Sequence, residues 1–571
     1  MRYLALCTDY DGTIAHHGRV DDATIAALER LRESGRRIVL VTGREIPDLE
    51  TVFSRFDLFD LIVAENGALL HWPHTKEERV LGEAPPARFV EALRAKEVWP
   101  ISVGRSIVAT WEPHETAVIE TIREFGLDLQ VIFNKGAVMV LPAGINKASG
   151  LREALRELNL SPRNAVGVGD AENDHAFLSL CECSVAVENA LPAVKERVDI
   201  VTRLDHGAGV CELIDELLAN DLADREPQLT RHHILLGVDD RGEPVHLLPH
   251  SVNALIVGTS SSGKSSVATG LVERLQAKGY NYCIIDPEGD YDMIDTAVVL
   301  GGPDHAPTLD ECEQLLCKPN TNAIINLLGV KFEDRPWFFM ALFARIRDIR
   351  ARTGRPHWLV VDEAYHMLPA QWQATDAPTP DALEGVVMIS VTPSSIAPAI
   401  LRSIDTLIVL GEEPNEMLRE FAEANQHAAI ESPRDALELG TAVIWSKSAQ
   451  LPPRLVKLEP SRTERKRHLR KYAEGSLPED RSFFFRGPQG KLRLRAPNLI
   501  LFMDLADGVD DETWLFHLKR HDVSEWLRTA IRDASIADEV RQIEEDPEID
   551  PRESRRRVRE LIEARYTLPA G

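Results

Sequence analysis

The sequence predicts an α/β protein: two domains built on parallel sheets, followed by a small α+β module. Three observations predict it. Short apolar, β-branched runs such as YLALCTD (3–9), RIVLVTG (37–43), NALIV (253–257) and WLVV (358–361) end at a carboxylate, a hydroxyl or a glycine-rich loop. Buried parallel strands look like this where their carboxyl ends carry chemistry. Stretches at helical spacing, such as VATGLVERLQAKG (267–279), follow such runs. Finally, at 571 residues the chain exceeds the ~250–300 at which single cores stop growing, so two or three domains are expected.

The composition, 44% hydrophobic and 27% charged, is that of an ordinary globular chain. No apolar run approaches the ~18 residues of a membrane span. The N-terminus enters a strand directly, with no basic n-region or cleavage site. A cytoplasmic protein without membrane contact is expected. The seven cysteines are scattered, with Cys181/Cys183 and Cys312/Cys317 the only close pairs. An odd total argues against a disulfide framework, so reduced, mostly buried thiols are expected. A net charge of −26 disfavours broad nucleic-acid binding, because phosphate repels an acidic surface. It leaves room for a local basic channel.

The first strand, 3–9, delivers Asp9, with Asp11 two residues on and Gly12 allowing a tight turn. Two close carboxylates beside the Thr13 hydroxyl suit a hard divalent cation such as Mg²⁺. The strand 37–44 ends in Thr42, whose hydroxyl can bond a phosphoryl oxygen. AVGVGDAEND (165–174) is a further strand, closing on Asp170 and Asp174 with Gly169 at the turn. Lys147, in PAGINKASGL at the start of a helical stretch, supplies a cation for a phosphate near these carboxylates.

These four segments in order, with AENGA (64–68) and AVENALPAVKERVD (186–199), resemble the haloacid dehalogenase-like (HAD) phosphatases, specifically the Cof-type branch (subclass IIB). The resemblance covers residues 1–217. It implies a Rossmann-like core and a small α+β cap at about 80–142, with VEALRAK and ETAVIETIREFG as its helices. It also implies Asp9 as nucleophile through an aspartyl-phosphate and Asp11 as general acid, then base. Thr42 and Lys147 would bind the phosphoryl group. Asp170 would complete the Mg²⁺ site with Asp9 and the Asp11 carbonyl, supported by Asp174. A cap of this kind suits a small phosphorylated substrate.

The polar stretch 218–230 reads as a linker. After it comes strand 253–257, then GTSSSGKSS (258–266), then a helix, the context that makes a phosphate loop. Gly258, Ser262, Gly263, Lys264, Ser265 and Ser266 are the nucleotide-binding candidates. Backbone N–H groups cradle phosphates there, Lys264 reaches the β/γ-phosphates and Ser265 ligates Mg²⁺. HWLVVDEAYHMLP (357–369) delivers Asp362 for Mg²⁺ and Glu363 for polarising a water, which points to ATP hydrolysis rather than phosphate transfer. YCIIDPEGDY (282–291) is a strand entering an acidic turn, and 388–411 reads strand–loop–strand with Thr392 and Arg402 as candidate sensors.

Residues 231–458 resemble the HerA/FtsK-type P-loop ATPases through ILLG…GEPVHL, DPEGDY and DEAYHMLP. The resemblance implies a RecA-like fold, a homo-oligomer (a hexamer) and ATP between subunits with an arginine from the neighbour. The strand after DEA commonly ends in a glutamine in that group; VTPSS stands here. Arg402 reads equally as that arginine or as a capping or surface residue.

The 461–471 run is the densest basic stretch, read first as a solvated linker and second as a phosphate contact. The accessory module 459–571 begins as a hairpin around Gly487–Gly490 followed by a buried strand through LILFMDLADG. Helices over 513–533 and 552–567 follow. Trp514, His517 and Trp526 are expected to be core. The leading reading is a Mg²⁺-dependent phosphatase joined to an ATP-hydrolysing ring. The alternatives are a DNA-translocating ATPase with an end-phosphatase, a kinase–phosphatase, and a nucleotide-dependent scaffold.

Overall fold

Three apolar strand ends set side by side decide where the chemistry of the first domain goes. The structure, a computed structural model, describes all residues except 251, 260–261, 293, 372–382, 429, 448–451, 463–471, 474–476, 478–480, 532, 547–548 and 567–571, and the side chains of 534 and 535. The chain forms two compact units, Met1–Glu459 and Pro460–Gly571.

The first sheet contains β1 (Ala5–Thr8), β2 (Arg37–Val41), β3 (Leu61–Ala64), β4 (Leu69–Trp72), β5 (Glu77–Val80), β10 (Ala165–Gly169), β11 (Cys183–Ala186) and β12 (Ile200–Val201). Its order is β12-β11-β10-β1-β2-β3-β4-β5. β12 to β3 are parallel and β4 and β5 antiparallel. In register, Thr8 lies beside Val168 on one side and Leu40 on the other. Asp9, Asp170 and Thr42 therefore emerge together at one edge. The strands are buried on both faces, which is why they read as continuous apolar runs.

Between β5 and β10 the chain makes the antiparallel sheet β6 (Ser102–Val103), β7 (Val108–Trp111), β8 (Leu129–Asn134) and β9 (Ala137–Pro142), in the order β6-β7-β9-β8. Helices Ala87–Ala95 and Glu115–Phe125 pack on one face through Phe89, Leu93 and Val118. The other face turns Met139 toward Gly43, beside Thr42.

The second sheet holds β13 (Ile234–Asp239), β14 (Pro244–Leu247), β15 (Asn253–Gly258), β16 (Tyr282–Asp286), β17 (Val298–Leu300), β18 (Ala323–Asn326), β19 (Trp358–Val361), β20 (Val386–Ser390), β21 (Thr406–Leu410), β22 (Thr441–Ser446) and β23 (Arg454–Leu458). Its order is β14-β13-β23-β22-β21-β15-β20-β19-β16-β18-β17. It is parallel from β21 to β17 and antiparallel beyond. Ile285 pairs with Val361, so Asp286 and Asp362 leave the sheet at the same level.

The stretch 218–230 connects the two sheets but is packed, not free. The helix His206–Asn220 runs into it, and Leu222 and Leu229 are buried in the first core. Arg36 donates to the Leu217 carbonyl and to Asp221.

In the second unit, β24 (Phe483–Phe485) and β25 (Leu494–Ala496) form the expected hairpin. The buried strand expected after it is instead a helix, Leu499–Gly508, capped by Asn498, whose side chain accepts from Leu501 N–H at 2.8 Å. Leu499, Phe502, Met503 and Ala506 make its buried stripe at helical spacing. The helix expected over 513–533 is two, Asp511–Lys519 and Asp522–Thr529, broken where His521 turns left-handed. Trp514, His517 and Trp526 are buried in this unit's core, with polar atoms satisfied by Ser554, by Asp522 and Arg486 N–H, and by the Arg481 carbonyl. The basic run lies, from 463 to 471, outside the described residues. All seven cysteines are free. Among the described residues no helix is long and apolar enough to cross a membrane.

Candidate active site

Lys147 stands at the centre of the first cluster. It opens the helix Lys147–Glu157, whose N-cap Asn146 accepts from Ala148 and Ser149 N–H at 3.0 Å each, in a capping box with Ser149. Gly67 fits against that cap: with φ +107°, a side chain there would put Cβ 2.0 Å from the Asn146 carbonyl oxygen. The AENGA motif thus seats the helix that carries the lysine. Lys147 Nζ, 1% exposed, lies 2.5 Å from Asp9 Oδ1 and 2.6 Å from Asp174 Oδ1. Burial works to depress its pKa, and the charges of Asp174 and Asp9 more than reverse this, so the ammonium is held above its usual range.

Asp9, Asp170 and Asp174 are all buried, and each brings one carboxylate oxygen within 4.8 Å of the others. Burial first, then the charges of Asp174 and Asp170, push the Asp9 carboxyl up to about 8, against the pull of Lys147. Asp170 is also raised by burial, offset by Lys135. Crowded carboxylates of this kind are stabilised in the charged form by a hard divalent cation, and the all-oxygen donor set fits Mg²⁺. Thr13 Oγ1 donates to Asp9 Oδ2 at 3.3 Å. Asp174 Oδ2 accepts from the N–H groups of Asp170 and Ala171, both at 2.9 Å, and so braces the turn after β10. Gly12 has φ +88°, and a Cβ there would meet Asp170 Oδ2 at 2.3 Å, so only glycine allows this approach.

The expected general acid, Asp11, lies at the rim, gripped by Arg44 in a two-point ion pair of 2.6 and 2.8 Å. Thr42 Oγ1 accepts from Arg44 N–H at 3.1 Å. Three residues here escaped the sequence reading. Arg44 stands two residues after Thr42, and its pairing partner is 33 positions away. Glu65, left-handed and buried, accepts from the N–H groups of Arg105, Ser106 and Ile107, clamping the β6–β7 turn of the cap onto the core. Lys135, at the tip of the β8–β9 hairpin, reaches Asp170. A lysine in a hairpin turn carries no signal of such a reach.

The second cluster lies at the carboxyl ends of β15, β16 and β19. Gly263 is left-handed and Lys264 opens the helix Lys264–Ala277. Lys264 Nζ donates back to the carbonyls of Gly258 and Thr259 at 2.8 and 3.1 Å. Burial lowers its pKa, with Glu363 and Asp362 opposing. Among the described residues, Ser262 Oγ is buried without a hydrogen-bond partner. Ser265 follows Lys264 in the first turn of that helix, and Ser266 comes next. Asp362, 4% exposed, is raised to about 7 by burial and then by Glu363. Glu363 adopts φ 40°, ψ 52°, a left-handed conformation that a non-glycine residue holds at a cost. Asp286, fully buried, gathers the N–H groups of Glu288, Gly289, Asp290 and Tyr291. Thr392 lies beyond β20 with its hydroxyl on Ser394, and Arg402 is exposed at the C-cap of the helix Pro398–Leu401.

Residues 6–93 and 112–214 match the haloacid dehalogenase-like hydrolase family. A phosphoglycolate phosphatase from Halorubrum lacusprofundi is 31% identical over 219 residues, covering 36% of this chain and 94% of that protein. One from Metallosphaera sedula is 31% identical over 226 residues, covering 38% and 98%. The solved structure of a haloacid dehalogenase-like hydrolase from Bacteroides thetaiotaomicron is 21% identical, with a TM-score of 0.33, over 38% of this chain and 99% of that one. Through its first 214 residues, the chain belongs to the haloacid dehalogenase-like hydrolases.

Proposed function

We propose that the first domain is a Mg²⁺-dependent phosphomonoesterase acting on a small phosphorylated acid, and that the second sheet binds and hydrolyses ATP. The observation that carries the first half is the buried Lys147 bridge between Asp9 and Asp174. It fixes the carboxylate that attacks and supplies the positive charge that a phosphoryl group needs. Mg²⁺, held by Asp9, Asp170 and the Asp11 carbonyl with Asp174 behind them, would neutralise phosphoryl charge.

In this reading an Asp9 oxygen forms a bond to phosphorus as the ester P–O bond breaks, and Asp11 gives its proton to the leaving oxygen. Asp11 has to leave Arg44 to do so. Water then attacks the aspartyl-phosphate, Asp11 takes the water's proton, and inorganic phosphate and the Asp9 carboxylate are regenerated. Lys147 and the Thr42 hydroxyl hold the phosphoryl oxygens. The cap excludes other water while the acyl phosphate waits.

Relatives named phosphoglycolate phosphatase make 2-phosphoglycolate the first substrate to test. Phosphate release from it is expected to require Mg²⁺ and to vanish in Asp9→Asn, since an amide can neither attack phosphorus nor balance the ion's charge. Retained turnover in a folded Asp9→Asn protein would remove the nucleophile assignment.

For the second sheet, the unpartnered Ser262 hydroxyl beside Lys264 and the strained Glu363 support a nucleotide site. Losing Lys264 should abolish ATP binding, whereas Glu363→Gln should bind ATP and fail to hydrolyse it. If nucleotide lies between subunits, as in the ATPases the sequence resembles, trapped ATP strengthens assembly by linkage. Native mass spectrometry of Glu363→Gln with ATP should then show a closed ring, a hexamer. A persistent monomer at saturating ATP rules that assembly out, and parental hydrolysis in Glu363→Gln rules out its role.

A further inference from the structure

The cap hairpin β8–β9 closes through Lys135 and Gly136, with φ of 47° and 85° and Asn134 paired to Ala137. Two consecutive positive φ values are what a tight hairpin turn of this hand demands, and the first position favours asparagine, aspartate or glycine. A lysine there goes against local preference. Where a residue breaks its local rule, a compensating role is expected.

The role is visible in its reach. Lys135 Nζ lies 2.8 Å from Asp170 Oδ2 and 3.5 Å from the Asp11 carbonyl oxygen. It also lies against Gly12, where a Cβ would meet it at 2.9 Å. One carboxylate oxygen and one main-chain carbonyl are the hard donors that a divalent cation takes. Asp170 is buried, whereas Lys135 is half-exposed on a long flexible stem, so the ammonium is the partner free to move.

We propose that Lys135 is a cation surrogate carried by the cap: it holds the Asp170 and Asp11 oxygens until Mg²⁺ displaces it, and then pairs with a second anionic group on the substrate. A 1+ ammonium and a 2+ ion cannot share Asp170 Oδ2 without repulsion, so ion binding expels the ammonium. The hairpin keeps it over the catalytic edge, where a carboxylate on the leaving group would attract it. Trp111 shares the sheet face that carries Met139 and stands half-exposed beside the turn, giving the rest of the leaving group an apolar wall. The substrate half rests on the phosphatase reading; the ion half does not.

The variant is Lys135→Asn, because asparagine keeps the left-handed turn while removing the charge. The ion half is read by calorimetric Mg²⁺ titration of the full chain without substrate, in an Asp362→Asn background that disables the second sheet's ion site. Mg²⁺ affinity should tighten at least fivefold in Lys135→Asn and stay near the parental value in Lys135→Arg. Unchanged or weaker binding in Lys135→Asn overturns the surrogate role. The substrate half is read as the KM for 2-phosphoglycolate divided by that for phenyl phosphate, whose leaving group has no second charge. Lys135→Asn should raise this ratio at least tenfold, and an unchanged ratio overturns the recognition role. A parent that hydrolyses neither ester sinks the phosphatase reading and the substrate half together, while the titration still decides the ion half.

Discussion

Lys147 shows how much of a buried cation's state is set by its neighbours. Its ammonium is buried, yet two carboxylates at 2.5 and 2.6 Å keep it charged, and it opens the first turn of a helix, where oriented N–H dipoles favour an anion. Around it, Asp9, Thr42 and Asp170 were legible because each follows a short apolar, β-branched run of the kind that forms a buried parallel strand. Lys135, Arg44 and Glu65 were not legible. Their partners lie 33 to 42 positions away in sequence, across the join between cap and core for Lys135 and Glu65 and within the core for Arg44, and nothing local marks these pairings. Asn146 is the residue whose removal tests the local scaffold. Loss of its two cap bonds should cost about 1 kcal/mol of stability. It should also loosen Lys147 at the first helical position, so Asn146→Ala is expected to lower kcat more than the small drop in melting temperature would suggest. Restoration by Asn146→Asp or Asn146→Ser, which can cap equally well, would tie the effect to the cap. A kcat that stays at the parental value in Asn146→Ala would show that Lys147 is placed by Asp9 and Asp174 alone.

At the scale of elements, burial on both faces made the strands readable and made one helix unreadable. β1, β10, β15 and β19 are apolar but for Thr8 and Asn253 at their ends, because helices or other strands cover both their faces. Leu499–Gly508 is nearly as apolar, and a continuous run does not distinguish a strand from a buried helix. Asn498 three residues ahead of the Leu501 N–H it accepts was the signal that could have decided it. The left-handed residues Glu363 and His521 mark the other places where elements end without a conspicuous sequence cue. In the first case the residue at the break is a carboxylate whose charge acts on Lys264. In the second it turns one expected helix into two, and Glu544 then fills the corner by accepting from Ser524 N–H at 3.0 Å. The cap was readable as two helical stretches, whereas its sheet, the part that faces the site, is made of short strands in half-buried sequence.

At the scale of the first unit, the two sheets meet at a buried polar knot that no motif announced. Glu182, on the first-domain side, receives Arg163 at 3.1 Å and Arg2 at 3.2 Å from its own side. From the second side it receives the Tyr280 hydroxyl at 2.9 Å and His250 Nε2 at 3.0 Å. Alongside, Asn281 N–H donates to His357 Nδ1 at 2.8 Å, which leaves Nε2 to donate to Asn164 at 3.1 Å. Asn164 immediately precedes β10, and His357 immediately precedes β19. The strands that end in Asp170 and Asp362 thus begin back to back at this knot. Removing Glu182 leaves the buried Arg163 guanidinium without its carboxylate, whereas Arg2 keeps Glu226, so Glu182→Ala should cost about 3–5 kcal/mol. The histidines make the knot pH-sensitive. Burial lowers His250 and His357 and brings His232 down to about 3, from an ordinary value of 6.5. Between those limits the unfolded chain binds protons that the folded chain refuses, so stability is lost as pH falls below about 6.5. Burial works to raise Glu182, but His250, His232 and Arg163 hold it well below the usual range, so its own contribution is lost only at much lower pH. Asp9 at about 8 and Asp362 at about 7 act in the opposite sense, weakening the fold as pH rises. The histidine share is therefore read as a difference. The melting temperature of the parent minus that of His232→Gln should be larger at pH 8 than at pH 5.5, because only the parent pays to keep that imidazole neutral in acid. A difference that is flat across this range would show that His232 is protonated in the folded chain, and that the knot holds a positive charge beside Arg163.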